Sequence, residues 1–169
     1  PAGTRPSSYP DGVLVTGANS FIGVHVVKKL REVYPGKIHL LLRAPSIGDA
    51  IARMGQAFSQ WGLSDFQPDR FSIHLGDVTM SSLNLGQIEF KQVKNETGTV
   101  VHLAMTPMYH LPYDHFQRVW VPELERMIGF CMDPDAPKSV HYASSFNANF
   151  FNGDNDFRAL NSNAWQSGY

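Results

Sequence analysis

Val13-Leu14-Val15-Thr16-Gly17-Ala18-Asn19-Ser20-Phe21-Ile22-Gly23 is the stretch that decides the fold. Its first three residues form the short apolar run that a buried parallel strand requires. Gly17 lets the backbone turn sharply. Ile22, Val26, Leu30 and Val33 then recur every three or four positions, the apolar stripe of an amphipathic helix. Strand, turn and helix follow one another without a spare residue. Pro35-Gly36 stops the helix.

The same alternation continues outward. Ile38–Leu42 reads as a second buried strand, closed by Arg43. Ile51, Met54, Phe58 and Trp61 form a second helical stripe with Gly62 beyond its end. Phe71–Leu75 is a third strand, ended by Gly76-Asp77, and residues 85–96 are helical. Thr99–Leu103 is a fourth strand, Phe116–Cys131 a helix that Pro122 must start or kink, and Ser139–Ala143 a fifth strand. Strands and helices alternating at this spacing make right-handed βαβ units on a parallel sheet covered on both faces. The predicted class is α/β, the first part of a Rossmann-type doubly wound sheet. Such sheets bind ligands at the carboxyl ends of their strands.

Bulk properties narrow the function. The 169 residues suffice for one compact domain, and 43% hydrophobic against 17% charged is a globular composition. A formal net charge of -1 gives no electrostatic case for nucleic acid or an anionic membrane. No apolar run approaches the roughly 20 residues of a membrane span. Cys131 is the single cysteine, which excludes an intrachain disulfide and fits a reducing compartment. Residues 1–10 lack the apolar core of a signal peptide and read as a linker or tail, with residues 11–169 as the domain. The expectation is a cytoplasmic domain with something preceding it.

Every chemically suggestive motif falls at a predicted strand end. After the first strand, Gly17 permits the turn, Gly23 lets the helix pack closely, and the helix N-terminus offers free N–H groups to a pyrophosphate. The bland alternative is a glycine turn with no ligand. Ser20 stands where the usual pattern has its middle glycine, so its side chain either crowds the phosphate or bonds to it. Arg43, ending the second strand, suits the 2′-phosphate of NADP rather than the ribose hydroxyl of NAD, and Arg53 is a candidate second cation; both are also ordinary surface arginines. Asp77 can accept from the adenine amino group with Val78 against the ring, or simply cap a turn. Small Ala104 stands where a cofactor crosses the sheet edge, while His102 reads as a buried core histidine. After the fifth strand, a serine of Tyr142-Ala143-Ser144-Ser145 and the phenol of Tyr169 can share one carbonyl oxygen, with tyrosine as general acid. That phenol needs a nearby cation to act at neutral pH, and the sequence stops before the position four residues on where a lysine would supply it.

These stretches (VLVTGANSFIG, HLLLRAPS, GDV at Gly76, TVVHLA, SVHYASS and the terminal SGY) resemble the extended short-chain dehydrogenase/reductases. More narrowly they are similar to the thioester-reductase domains of nonribosomal peptide and polyketide synthetases and of carboxylic acid reductases. The resemblance runs from residue 13 to the end. It implies an NADPH-dependent oxidoreductase that releases a carrier-protein-bound acyl thioester as an aldehyde or alcohol, working with upstream synthetase modules and a phosphopantetheine-bearing carrier. It assigns Gly17, Asn19, Ser20, Phe21, Ile22 and Gly23 to the pyrophosphate, Arg43 and Arg53 to the 2′-phosphate, and Asp77 and Val78 to the adenine. Leu103, Ala104 and Met105 would lie along the cofactor, Ser145 would orient the carbonyl and Tyr169 would donate the proton.

The sequence departs from that pattern at Ser20, at Trp120 (where relatives often carry asparagine, here followed by Pro122 and Glu123), and in lacking the lysine and the substrate domain. The expectation is therefore an incomplete N-terminal portion, inactive by itself. Other readings are a sugar-nucleotide epimerase or dehydratase, another extended reductase, or a non-redox domain for cyclising release or carrier binding.

Overall fold

The computed structural model describes residues 10–63, 65–105 and 112–143. Five strands form one parallel sheet in the order β3-β2-β1-β4-β5: β1 (Gly12–Thr16), β2 (Ile38–Leu42), β3 (Ser72–Leu75), β4 (Thr97–His102) and β5 (Ser139–Tyr142). The connecting helices are α1 (Phe21–Val33), α2 (Ile47–Gln60), α3 (Gln87–Glu96) and α4 (Tyr113–Cys131). This is the Rossmann-like order expected, with β1 at the centre because its five residues are buried on both faces.

The two faces of β1 seed two cores. Val13 and Val15 pack with Val24, Val27, Met54 and Phe58 of α1 and α2. Leu14 packs with Leu41, Val93, Val100, Met127 and Phe130 toward α3 and α4. Each such side chain contributes about 1.5–3 kcal/mol by leaving water. Register then aligns the strand ends. Thr16 sits opposite both Leu41 and His102, and Leu42 opposite Leu75, so Gly17, Arg43, Gly76 and Leu103 emerge along one rim.

Several boundaries and faces differ from the sequence reading. The buried side of α1 is Gly23, Val24 and Val27, one position away from the stripe of Ile22 and Val26; Ile22 and Val33 are exposed and Leu30 is half-buried. The expected stripe ignored that a glycine offers the closest packing surface. β4 begins at Thr97 and ends at His102, leaving Leu103 in the following loop. α4 neither starts nor breaks at Pro122; the proline lies inside it, and the carbonyl of Arg118 loses its usual helical donor. β5 is exposed along all four residues among those described.

Candidate functional site

A crevice of about 280 Å³ opens where the strand ends meet, lined by residues that follow β1, β2, β3 and β4 and by Trp120 of α4. Thr16 and Gly17 form its base. Gly17 has φ +67°, and a Cβ there would stand 2.5 Å from the Leu103 carbonyl carbon and 2.7 Å from the Ala104 nitrogen. Glycine thus lets the first and fourth strand ends close on each other. Gly23 is also required, for a reason the sequence reading placed elsewhere. A Cβ on it would meet the Gly17 carbonyl oxygen at 2.2 Å, so the helix packs against the turn itself.

Ser20, at the position of the missing glycine, has a local structural role. It is the N-cap of α1, and its Oγ accepts from the Gly23 N–H at 3.0 Å. The Ser20 N–H donates to the Gly17 carbonyl at 3.0 Å, so two of the four N–H groups at this helix end are already taken, while Ser20 still borders the crevice beside Asn19.

Arg43 and Arg53 come together at the end of β2. The Arg53 guanidinium donates to the Arg43 carbonyl, and both line the crevice. Arg43 is 72% exposed, with Nη1 3.7 Å from Asp77 Oδ2. An exposed pair of this kind contributes at most about 1 kcal/mol, so it leaves Arg43 available to an anion. Asp77 performs the capping role as well. Its Oδ1 accepts from the backbone N–H and the hydroxyl of Thr79 at 2.9 and 2.7 Å, which leaves Oδ2 toward the crevice side of Arg43. Val78 lines the crevice but is nine-tenths buried in the core, so it offers an edge rather than an open platform.

Leu103, Ala104 and Met105 line the crevice. Phe21, Ile22 and Gly23 do not. Phe21 and Ile22 are more than half exposed, and the Phe21 ring lies 4.5 Å from that of Trp61. Ser144, Ser145 and Tyr169 lie outside the described residues.

Three contributors went unread in the sequence. Thr16 was taken only as a strand end, Thr79 joins the wall after β3, and Glu123 of α4 reaches His102. The Asp77-Val78-Thr79 spacing, which makes an Asx turn, was the one available signal for Thr79. His102 is the buried core histidine anticipated, 1% exposed and bonded through Nδ1 to Thr16 Oγ1 at 2.8 Å. Among the described residues no helix is long and apolar enough to cross a membrane.

The residues present fit a dinucleotide: a helix N-terminus facing a crevice, a glycine turn with no room for a side chain, and two crevice-lining arginines at the β2 end, one bonded to the other's backbone. The solved terminal R domain from the myxalamid PKS-NRPS biosynthetic pathway has a similar fold (TM-score 0.73, 19% identity, covering 83% of this chain and 36% of that one). The reductase domain of a nonribosomal peptide synthetase from Mycobacterium tuberculosis is also similar (TM-score 0.69, 24% identity, covering 87% and 36%). In sequence, the isonitrile lipopeptide synthase of Streptomyces coeruleorubidus is 33% identical over 104 residues, 60% of this chain and 7% of the synthase. The polyketide synthase-nonribosomal peptide synthetase phmA of Phaeosphaeria nodorum is 25% identical over 134 residues, 79% of this chain and 3% of that protein. The chain thus spans a small fraction of these curated relatives and about a third of the solved reductase domains. The family model described as Male sterility protein, which is NAD-binding, matches residues 15–164. The chain belongs to that family.

Proposed function

We propose that this chain is the NADPH-binding part of a thioester reductase that releases a carrier-bound acyl chain as an aldehyde or alcohol. The observation that carries the cofactor half is the crevice itself, where the glycine turn, the α1 N-terminus and the Arg43–Arg53 pair face one space. The α1 N–H groups hold the pyrophosphate, Arg43 and Arg53 hold the 2′-phosphate, and Asp77 orients the adenine. Leu103, Ala104 and Met105 lie along the cofactor toward its reacting end.

When bound, a reduced nicotinamide would supply the hydride that the thioester carbonyl carbon needs. Ser145 would position the carbonyl oxygen and Tyr169 would deliver a proton to it; the aldehyde would form as that hydroxyl gives up its proton, the carbon–sulfur bond breaks and the carrier sulfur leaves protonated as the thiol. The partner is an acyl or peptidyl carrier protein presented by upstream synthetase modules. The reading draws on the family match and on the synthetase relatives.

The parent protein should be incubated with an acyl-loaded carrier and NADPH. Aldehyde or alcohol release with matching NADPH consumption is expected. Release of a free acid or a cyclised product with no NADPH consumed contradicts the proposal.

A further inference from the structure

Under the crevice floor lies a sealed line of three side chains from three elements. Thr16 of β1, His102 of β4 and Glu123 of α4 are 0%, 1% and 2% exposed. Thr16 Oγ1 lies 2.8 Å from His102 Nδ1, and His102 Nε2 lies 3.0 Å from Glu123 Oε1. The second contact has ion-pair distance without hydrogen-bond alignment. The Tyr142 ring stacks on the imidazole at 5.7 Å. A glutamate shut away from water is costly unless its charge is used.

Counting protons shows how it is used. The Thr16 hydroxyl has one proton and two lone pairs. Two backbone donors approach this oxygen at 3.3 Å, Ala104 N–H and Leu103 N–H, the latter shared with the Thr16 carbonyl oxygen at 3.2 Å. Its own proton therefore goes to His102 Nδ1, which must be an acceptor. The neutral ring then carries its hydrogen on Nε2, the atom facing Glu123. The opposite tautomer would aim a third donor at Thr16 and displace one of the two backbone bonds. Leu103 and Ala104 line the crevice, as does Thr16.

We propose that Glu123 is a positioning residue for the cofactor crevice: it holds His102 in the Nε2–H tautomer, and through Thr16 that tautomer holds the Leu103–Ala104 backbone in its binding shape. The inference rests on the crevice taking a nicotinamide cofactor. Trp120, one helical turn before Glu123, lines the same crevice, so α4 shapes it both directly and through this line.

The test has two readouts on the 169-residue chain: the ring ¹⁵N spectrum of His102, and NADPH affinity by fluorescence titration. The unmodified chain is expected to show a protonated Nε2 and a bare Nδ1. Glu123→Leu is expected to mix the tautomers and weaken NADPH roughly three- to tenfold, the scale of one or two lost hydrogen bonds. Glu123→Gln keeps an acceptor oxygen and is expected to retain the tautomer and recover most of the affinity. Thr16→Val, which keeps the shape without the hydroxyl, should weaken NADPH by a similar factor while leaving Glu123 in place.

A protonated Nδ1 in the unmodified chain overturns the proposal, even if Glu123→Leu does not fold. So does a folded Glu123→Leu with unchanged spectrum and affinity. If the unmodified chain shows the expected tautomer but binds no NADPH, the cofactor reading fails instead, and the positioning role falls with it.

Discussion

Gly17 bears two constraints at once, a left-handed backbone (φ +67°) and a strand end within 2.7 Å of where its Cβ would stand. Gly17→Ala is expected to cost at least about 2 kcal/mol, since the conformational penalty alone is of order 1–3 and the clash is with backbone. A urea titration reads it directly, and an unchanged midpoint would show that the strand ends do not need to meet. Ser20, by contrast, spends its hydroxyl on the Gly23 N–H while still bordering the crevice. At the rim, Arg43→Ala is expected to weaken 2′-phospho-AMP about tenfold or more, the worth of a charge-assisted bond, and to leave AMP nearly unchanged. Equal losses for both ligands would show that the guanidinium does not meet the 2′-phosphate. The type and place of Arg43 were legible from its position ending an apolar run. Its partnership with Arg53 was legible only as a possibility, because it depends on how α2 turns.

At the scale of elements, β2 and β3 carry a feature that periodicity does not reveal. His39 Nδ1 lies 3.0 Å from His74 Nε2, and His74 Nδ1 lies 2.6 Å from Glu89 Oε1, with His39 fully buried. Burial, and then the charge of His74, pull the His39 pKa down to about 4; Glu96 opposes this and Lys37 adds to it. The folded chain therefore binds this proton less readily than the unfolded chain, whose histidine titrates near 6.5. Stability from this group is complete above about pH 6.5, falls as pH drops, and levels off below about pH 4. The loss across that window is on the order of 3 kcal/mol. His39→Gln should flatten this part of the stability–pH curve in urea titrations at a series of pH values, and an identical slope in both proteins would refute the assignment. The strands themselves were legible because parallel, doubly covered strands are unbroken apolar runs. The α1 face was misread by one position because the close approach is made by Gly23, which has no side chain to register in an apolar stripe. Pro122 does not start a segment, since α4 runs through it from Tyr113 to Cys131 with one backbone bond lost.

Across the whole molecule, strand register does what no single motif can. It brings the ends of β1, β2, β3 and β4 to one rim, so residues separated by dozens of positions line one crevice. This is why most of the crevice-lining residues could be named from the sequence: in a parallel sheet, being next after a strand fixes being at the rim. The line from Thr16 through His102 to Glu123 could not be named, because Thr16 and His102 are 86 positions apart and meet only through strand register, and Glu123 reaches His102 only through the way α4 lies on the sheet. Phe21 and Ile22 belong to the motif but point their side chains away from the crevice, so only their backbone N–H groups remain available to it. The central claim is that this rim is built for a nicotinamide dinucleotide bearing a 2′-phosphate. Calorimetric titration of the chain with NADPH and with NADH, at one salt concentration, tests it most directly. NADPH binding at least about tenfold tighter than NADH is the predicted result; equal affinity, or none for either, would contradict it.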